Sequence, residues 1–380
     1  MNRPNDHTAK VAEFLENAIE TVLKLHKKSM HKSRITFLEL VLPAIIGAKS
    51  VQYHDIAAEM DGAVQADSKE KRIQRFVADY AFDEEFVFLF LIFLLPKKGK
   101  ITLCIDRTTW ECGNCTHNLL TVTAYSHGVG VPIWVESVAP SGGCCDVDDK
   151  MYVIMKCIDL LGRERIKCVI GDCEFIGDEW IEYLWKQKIH FFFDIRSNQY
   201  FEYEGKSYTV REWMNGRYKS ELKGIKIFGK TLNIGMKRQK LSKKAKRKPF
   251  LAVVTNCPTT SGILGVYKNR WSIEVFFQSL KGRGFNMEST HLDTPIKMRS
   301  MFMLLCMAFI LCLRVGLAVD KIHPIPIKNH GYKANSFFRV GKEFIARLFK
   351  RKAIIPHIEA IMAALNTLFV TILNPIKHPI

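Results

Sequence analysis

Residues 168–180 read Cys-Val-Ile-Gly-Asp-Cys-Glu-Phe-Ile-Gly-Asp-Glu-Trp. A short apolar run typical of a buried strand ends at Asp172, and an amphipathic segment typical of a helix follows it. The segment 100–110 repeats this order, because Ile-Thr-Leu-Cys-Ile precedes Asp106. Two strands that each end on a carboxylate predict an α/β fold in which acidic side chains meet at one edge of a sheet.

The elements between residues 101 and 195 predict how that sheet is arranged. Apolar runs predict strands at 101–105, 119–125, 132–138, 166–170 and 189–195, and helical periodicity predicts helices at 150–161 and 180–186. Ser-His-Gly-Val-Gly at 126–130 is a hairpin-type turn. The order strand–strand–strand–helix–strand–helix–strand predicts a mixed sheet flanked by helices, with a ribonuclease-H-like core.

A third acidic residue lies in the stretch 267–281, Tyr-Lys-Asn-Arg-Trp-Ser-Ile-Glu-Val-Phe-Phe-Gln-Ser-Leu-Lys. In a helix, successive residues turn by about 100°, so four polar residues share a sector of roughly 60°. These residues are Tyr267, Arg270, Glu274 and Lys281. An apolar set lies about a third of a turn away: Ile273, Phe276 and Leu280. The stripe suits a metal-and-phosphate site; the alternative is a solvated face with neighbouring charges.

The three acids together indicate a chemistry that none of them indicates alone. An Asp at the end of a strand is usually a turn residue or a helix cap. Carboxylates at neighbouring strand ends that converge with a carboxylate on a later helix can instead hold two divalent cations. Such a pair of ions stabilises the attacking and leaving oxygens of a phosphoryl displacement. The order Asp106, Asp172, Glu274 favours this second interpretation.

With these motifs the chain resembles the DDE transposases of bacterial insertion sequences, in the branch with a Tyr-Arg-Glu-Lys signature. The spacing of Tyr, two residues, Arg, three residues, Glu, six residues, Lys is matched without a gap at 267–281. The segments 106–110 (Asp-Arg-Thr-Thr-Trp) and 172–177 (Asp-Cys-Glu-Phe-Ile-Gly) resemble the first two family motifs. Cys173 departs from the family pattern, in which Arg is more frequent at that position. The resemblance extends from about residue 30 to about residue 320.

The resemblance implies a function and a set of site residues. Asp106, Asp172 and Glu274 would be the catalytic triad that binds two Mg²⁺ ions, with Mn²⁺ as an alternative. Tyr267, Arg270 and Lys281 would contact the DNA backbone beside the cut. The implied partner is double-stranded DNA with terminal inverted repeats, bound by a homodimer, and the implied pathway is cut-and-paste movement through a hairpin intermediate.

Three other functions remain open at this point. A catalytically inactive or domesticated descendant would bind DNA without cutting it. A ribonuclease-H-fold nuclease would cut without a preference for one pair of terminal repeats. A recombinase that works covalently could use Tyr267 as its nucleophile, but such enzymes need a cluster of cations around the tyrosine and no acidic triad.

Composition agrees with a nucleic-acid partner. The 380 residues include 56 Lys and Arg against 38 Asp and Glu, for a formal net charge of +18. A positive surplus of this kind attracts phosphate and makes binding salt-dependent, but it gives no sequence specificity. The 48% hydrophobic content and 25 Phe exclude a wholly disordered basic protein.

The segment 237–248 is the most basic run in the chain, with eight cations in twelve residues. Alternating short apolar segments around it predict an inserted antiparallel β-subdomain. We expect the run to contact the DNA backbone, the alternative being a solvated hairpin tip. The residues assigned to this contact are Lys237, Arg238, Lys243, Lys244, Lys246 and Arg247.

The whole chain is expected to contain five segments. They are a helical DNA-binding domain at 1–95, the first part of the catalytic core at 96–195, the inserted β-subdomain at 196–257, the second part of the core with the Glu274 helix at 258–320, and a C-terminal helical region at 321–380. Within the first segment, helices at 50–60 and 68–77 would present Lys69, Lys71, Arg72 and Arg75 to phosphates or bases.

Cysteines and apolar runs bear on the compartment. The 11 cysteines are scattered, and the Cys112-x-x-Cys115 motif has no second pair at zinc-ribbon spacing, so we expect free thiols in a reducing cytosol. The resemblance to bacterial transposases further implies a cytoplasmic protein associated with the bacterial nucleoid. The N-terminus lacks a signal-peptide pattern. The apolar run 86–95 is too short to span a bilayer, and the run 301–313 could reach spanning length only by burying Arg314, which is costly. They predict core helices, and no membrane partner is expected.

Overall fold

The computed structural model describes residues 6–80, 83–93, 95, 99–112, 115–139, 145–239, 249–258, 262–329, 331–348 and 358–373. The chain forms two compact units. The sheet unit comprises residues 98–109 and 118–276, and the helical unit comprises residues 1–97, 110–117 and 277–380.

Strands and helices alternate in the middle of the chain, and helices dominate both ends. The strands are β1 (Ile101–Cys112), β2 (Cys115–Ser126), β3 (Val129–Val138), β4 (Ile166–Gly171), β5 (His190–Asp194), β6 (Tyr200–Tyr203), β7 (Lys206–Thr209), β8 (Lys219–Ile227), β9 (Lys230–Arg238) and β10 (Phe250–Thr255). The helices are α1 (Asp6–Leu25), α2 (Lys32–Ala48), α3 (Tyr53–Glu59), α4 (Ala66–Asp79), α5 (Glu84–Phe93), α6 (Val147–Leu161), α7 (Asp178–Lys186), α8 (Val210–Trp213), α9 (Ile263–Tyr267), α10 (Trp271–Leu280), α11 (Pro295–Ile322), α12 (Phe337–Leu348) and α13 (Ile358–Leu373).

All ten of these strands form one mixed sheet in the order β3-β2-β1-β4-β5-β10-β9-β8-β6-β7. β3 pairs antiparallel with β2, whereas β1, β4 and β5 pair parallel. The parallel strands are apolar along most of their length, as expected for strands covered on both faces. The first five strands have the ribonuclease-H-like arrangement, and the predicted mixed α/β fold is confirmed.

The largest error among the predicted strand boundaries is the end of β1. β1 was expected to end at Ile105, but it continues to Cys112, so Asp106 lies within the strand. The added residues include Thr-Thr-Trp, which favour extended backbone. The pairing of β1 with β4 nevertheless stops at Cys104. Asp172 follows the last residue of β4 directly, as predicted.

The segment predicted as an inserted β-subdomain is antiparallel, but its strands extend the core sheet. β10 pairs with β5 on one side, with Val254 opposite Phe193, and with β9 on the other, with Val254 opposite Ile234. Because β10 is hydrogen-bonded to the core strand β5 and to β9 of the insertion, the ten strands form one continuous sheet.

The core of the helical unit is α11. This helix is long and apolar enough to cross a membrane, with a mean hydropathy of 2.5, but 89% of that apolar window is buried inside the structure. It packs against α12, α13, α2, α4 and α5. Because neighbouring helices cover its apolar surface, α11 is a core helix, in agreement with the sequence prediction.

Two glycines allow α11 and α12 to approach each other closely. A Cβ atom at Gly316 would lie 1.9 Å from the carbonyl oxygen of Phe337, and one at Gly341 would lie 1.8 Å from the carbonyl oxygen of Cys312. No side chain can occupy either position without moving a helix backbone. The glycines therefore fix the distance between the two helices.

We predict that Gly341→Ala destabilises the protein although alanine is the better helix former. The new methyl group must separate α11 from α12, and overpacking of this kind costs about 1–3 kcal/mol. The change is measured as the midpoint of guanidinium unfolding. Gly282→Ala is the control, because a Cβ atom there has no neighbour within 4 Å. Equal midpoints for the two variants would contradict the prediction.

Candidate active site

The sheet unit brings together the three acids predicted from the sequence. Cys104 and Ile170 are the last paired residues of the parallel strands β1 and β4, and Asp106 and Asp172 each lie two residues beyond this pair. Side chains in extended backbone alternate between the two faces, so these two carboxylates lie on the same face of the sheet. Glu274 is in the first turn of α10.

Short contacts hold the start of α10 against the sheet. The Cys104 thiol lies 3.5 Å from the carbonyl oxygen of Asn269 and 3.7 Å from the hydroxyl of Ser272. A Cβ atom at Gly130 on β3 would lie 2.6 Å from the Thr123 hydroxyl and 3.1 Å from the carbonyl oxygen of Ser272, so any side chain there would crowd the start of α10. Further along α10, Ile273 and Phe276 are fully buried, as predicted.

Asp106 has a strongly raised pKa. Burial and the neighbouring Asp172 carboxylate raise the pKa of Asp106 to about 7, and Glu274 adds to this effect. Arg270 and the backbone N–H of Arg107, which donates to Asp106 Oδ1 at 2.8 Å, act in the opposite direction. The three carboxylates are therefore close enough to repel one another electrostatically.

Arg270 is the positive charge within this group. Its Nη1 atom lies 3.7 Å from Asp106 Oδ2, and its Nη2 atom donates to Glu274 Oε1. Burial lowers the pKa of Arg270, but attraction to Tyr267, Glu274 and Asp106 outweighs burial and raises it. The guanidinium thus bridges two of the three acids.

Tyr267 has a different environment from the one that a single polar stripe predicts. The chain passes from α9 through a 3₁₀ turn at Lys268–Arg270 into α10, so the helical path is tightened between Tyr267 and Glu274. Tyr267 is only 7% exposed, and burial raises the pKa of its phenol. Its ring centroid lies 5.8 Å from the Arg270 guanidinium carbon. The tyrosine therefore supports Arg270 from a buried position.

The other predicted DNA contacts lie at separate places. Lys281 follows α10 in the helical unit, where its ammonium lies 3.7 Å from Glu288 and 5.6 Å from the centroid of the Trp110 ring. Lys237 and Arg238 are exposed on β9, and each lies over an aromatic ring. Four residues fall outside the described residues: Lys243, Lys244, Lys246 and Arg247.

An ion pair that the sequence analysis did not assign connects the two aspartate segments. Arg107 Nε lies 3.1 Å from Glu174 Oε1, and both side chains are largely buried. Glu174 Oε1 also accepts the backbone N–H of Cys145 at 2.9 Å, while Asp172 Oδ1 accepts the backbone N–H of Glu174 at 2.8 Å. Both residues belong to quoted motifs, but no spacing rule shows that they meet.

The donor chemistry at this site fits a divalent cation. Carboxylate oxygens are the ligands that Mg²⁺ prefers, and the mutual repulsion that raises the pKa of Asp106 is what a cation would relieve. Within the described ranges, no three His, Cys, Asp or Glu side chains are grouped so as to hold a metal ion. Arg270 supplies the neutralising charge in this arrangement.

Comparisons with known proteins give one family and several structures. A family model described as the transposase DDE domain matches residues 97–311. No curated protein sequence matches the chain. Seven solved chains match. One of them, a cryo-EM structure of the piggyBac transposase synaptic complex with hairpin DNA, has 13% identity and a TM-score of 0.46, over 98% of this chain and 83% of that chain.

We predict that ionised Asp106 makes stability depend on pH. The pKa of Asp106 is about 7 in the folded protein and 3.8 in the unfolded chain. Protonation of Asp106 therefore contributes its full stabilisation of the folded state below pH 3.8, and this stabilisation is lost as the pH rises through 7. In EDTA, Asp106→Asn should therefore match the native protein near pH 4 and be more stable at pH 8, by roughly 1–4 kcal/mol. Urea unfolding across this pH range measures the difference.

The exposed residue Asp178 provides the control for this comparison. Asp178→Asn removes a surface carboxylate that lies 3.3 Å from Lys230 Nζ, so its difference from the native protein is the reference for the pH dependence of Asp106→Asn. A difference for Asp106→Asn that follows this reference would show that the Asp106 carboxylate is not perturbed.

We also predict strong coupling between Arg107 and Glu174. Removing one partner leaves the other charge buried, so the double variant Arg107→Met/Glu174→Gln should be less destabilised than the sum of the single variants, by about 0.5–3 kcal/mol. A double-mutant cycle of unfolding free energies measures this. The exposed pair Glu182 and Lys186, 3.5 Å apart, is the matched control and should couple by less than about 1 kcal/mol. Additive changes in unfolding free energy for the Arg107 and Glu174 variants would contradict the predicted coupling.

Proposed function

Since the chain belongs to the transposase DDE-domain family, which consists of DNA-cleaving enzymes, we propose that it cuts and joins DNA strands at insertion-sequence ends by two-metal phosphoryl transfer. The observation that carries the proposal is the grouping of Asp106, Asp172 and Glu274 in the sheet unit, where burial and the other two acids raise the pKa of Asp106. Arg270 offsets the negative charge of Asp106 and Glu274, and the carboxylate oxygens of all three acids suit a divalent cation.

Asp106, Asp172 and Glu274 are the residues that would hold two Mg²⁺ ions, with Mn²⁺ as an alternative. When bound, the ions would activate the attacking water or 3′-hydroxyl and stabilise the leaving oxygen. The protein supplies the positions: strand register sets Asp106 against Asp172, and the contacts of Cys104 with the start of α10 set Glu274. No covalent link between protein and DNA is needed.

Arg270 has a second role in this proposal. Its guanidinium neutralises Asp106 and Glu274 in the structure described above. Metal ions at the carboxylates would take over that neutralisation, and the planar fork of N–H donors would then be available to a phosphate of the DNA backbone. Tyr267 would support the guanidinium, and Lys281 would contact the DNA backbone beside the cut.

DNA with terminal inverted repeats is the proposed substrate, and a homodimer in the bacterial cytoplasm, associated with the nucleoid, is the proposed active form. The net charge of +18 supports a DNA partner but not a particular end sequence. Lys237 and Arg238 are exposed on β9, and with Lys243, Lys244, Lys246 and Arg247 they would add backbone contacts. Such contacts position DNA without reading its bases.

We predict that Asp106→Asn, Asp172→Asn and Glu274→Gln each reduce metal-dependent cleavage by at least about 100-fold, since altering even an outer partner of a metal ligand costs 10–100-fold. Each variant should still bind DNA. The assay follows nicking of a plasmid that carries the sequences flanking the gene, in Mg²⁺ and in EDTA. Asp178→Asn, which changes an exposed acid in the same unit, is the control and should cut normally.

The same assay separates the competing functions. Metal-dependent cuts confined to the flanking ends support the transposase. Cuts without preference for those ends indicate a ribonuclease-H-fold nuclease, and DNA binding without any cleavage by the native chain indicates a binding-only descendant. Either of these last two results would overturn the proposal.

A further inference from the structure

A second charged site lies in the helical unit, between α2 and α4. It is a cavity of about 450 Å³, within the size range of ligand pockets. Three arginines line it, Arg34 from α2 and Arg72 and Arg75 from α4. The sequence analysis expected Arg72 and Arg75 to face DNA, but it gave no reason to place Arg34 beside them.

Aromatic rings hold two of the three guanidiniums in place. The Arg34 guanidinium carbon lies 4.1 Å from the centroid of the Tyr80 ring, and that of Arg72 lies 5.2 Å from the centroid of Phe37. Arg72 Nη2 also donates to the carbonyl oxygen of Ser33 at 3.0 Å. Stacking on a ring leaves the edge of a guanidinium, where its N–H donors point, available to an anion.

The charge of the cavity is not balanced by carboxylates. In the described part of the chain, none of the three arginines forms an ion pair, although Asp79 also lines the cavity. Burial lowers the pKa of Arg72, and the nearby charge of Arg34 lowers it further. Three like charges held together at this cost indicate a site built for an anionic ligand.

We propose that this cavity, the arginine pocket, binds a phosphodiester group of the DNA backbone. Forked N–H donors match the oxygens of a phosphate, which accepts two parallel hydrogen bonds from one guanidinium. A stacked base is a poorer fit, because Phe37 and Phe76 already stack on each other with ring centroids 4.2 Å apart and the Tyr80 face is covered by Arg34. The inference rests on the proposed function only in taking DNA as the substrate.

The neighbouring lysines of α4 play a smaller part in the pocket. Lys69 donates to the carbonyl oxygen of Met60 at 2.5 Å, and Lys71 is exposed but does not line the cavity. Among the basic residues of this surface, Arg34, Arg72 and Arg75 are therefore the ones that line the pocket. Because phosphate contacts carry no base information, the pocket would position DNA on the helical unit independently of its sequence.

We predict that Arg34→Gln, Arg72→Gln and Arg75→Gln each weaken binding of a labelled DNA duplex to the full chain by about tenfold, since hydrogen bonds to charged groups are the stronger ones. Each should also lower the slope of log affinity against log salt by about 1. Fluorescence anisotropy in EDTA at several salt concentrations measures both quantities, and thermal unfolding verifies that each variant is folded. Arg75 is exposed, so its variant keeps the test available if the variants of the half-buried Arg34 and Arg72 unfold.

Arg339→Gln is the matched control. Arg339 is an exposed arginine of the same unit, but its Nε already lies 2.9 Å from Glu343, so the variant should change affinity by less than about twofold. Pocket variants that bind DNA as this control does would overturn the inference. The inference would also be overturned if inorganic phosphate stabilised the native protein against unfolding but not the pocket variants, while these variants kept full DNA affinity. The pocket would then bind a free phosphate.

A second set of variants tests DNA binding by the pocket separately from the proposed cleavage activity. The three arginine variants are made again in the Asp106→Asn background, in which no cutting is expected. The same loss of DNA affinity there supports the pocket whether or not the native chain cuts DNA. Normal affinity there overturns the pocket and leaves the cleavage assay unaffected.

Discussion

Parallel pairing of β1 with β4 is the constraint on which the candidate active site depends. Cys104 opposite Ile170 sets the register, and the same two-residue continuation on each strand brings Asp106 and Asp172 onto one face. A one-residue slip would turn one of the two carboxylates to the other face. The Arg107–Glu174 ion pair joins the same two segments beyond the last backbone pair, where strand hydrogen bonds no longer hold them together.

The negative charge of the three acids can be neutralised by an arginine of the chain or by bound cations, and the structure contains the arginine. Burial of Asp106 and repulsion from Asp172 and Glu274 together raise its pKa to about 7. Arg270 reduces the repulsion by contacting Asp106 and Glu274. Under the proposed function, cations at the carboxylates would free this arginine for phosphate. Metal binding and DNA contact would then be linked through one side chain.

The helical unit shows how packing and charge can be combined in an all-helical segment. Gly316 and Gly341 let α11 and α12 approach to backbone contact, so the interior is filled without large side chains at the crossing. At the surface of the same unit, the rings of Phe37 on α2 and of Tyr80, which follows α4, hold two arginines, and neither arginine forms an ion pair within the described residues. The first arrangement serves stability, whereas the second is costly unless an anion is bound.

Local sequence patterns determined the elements and the fold class of this protein. Apolar runs and helical periodicity gave the order of strands and helices, because each depends on residues close together in the chain. The spacing of Tyr267, Arg270, Glu274 and Lys281 and the two aspartate motifs led to the family that the transposase DDE-domain model shows. Apolar periodicity did not determine the true end of β1, because the strand continues past Cys104, where its pairing with β4 stops, beside its other neighbour β2.

Only the tertiary structure decided which of these residues meet. The ion pair between Arg107 and Glu174, the burial of Tyr267 and the joining of β10 to β5 all connect parts of the chain that are far apart in sequence. The same is true of the arginine pocket, in which Arg34 comes from a different helix than Arg72 and Arg75. No local pattern specifies such contacts, because they depend on how whole elements pack and on where charge can be buried.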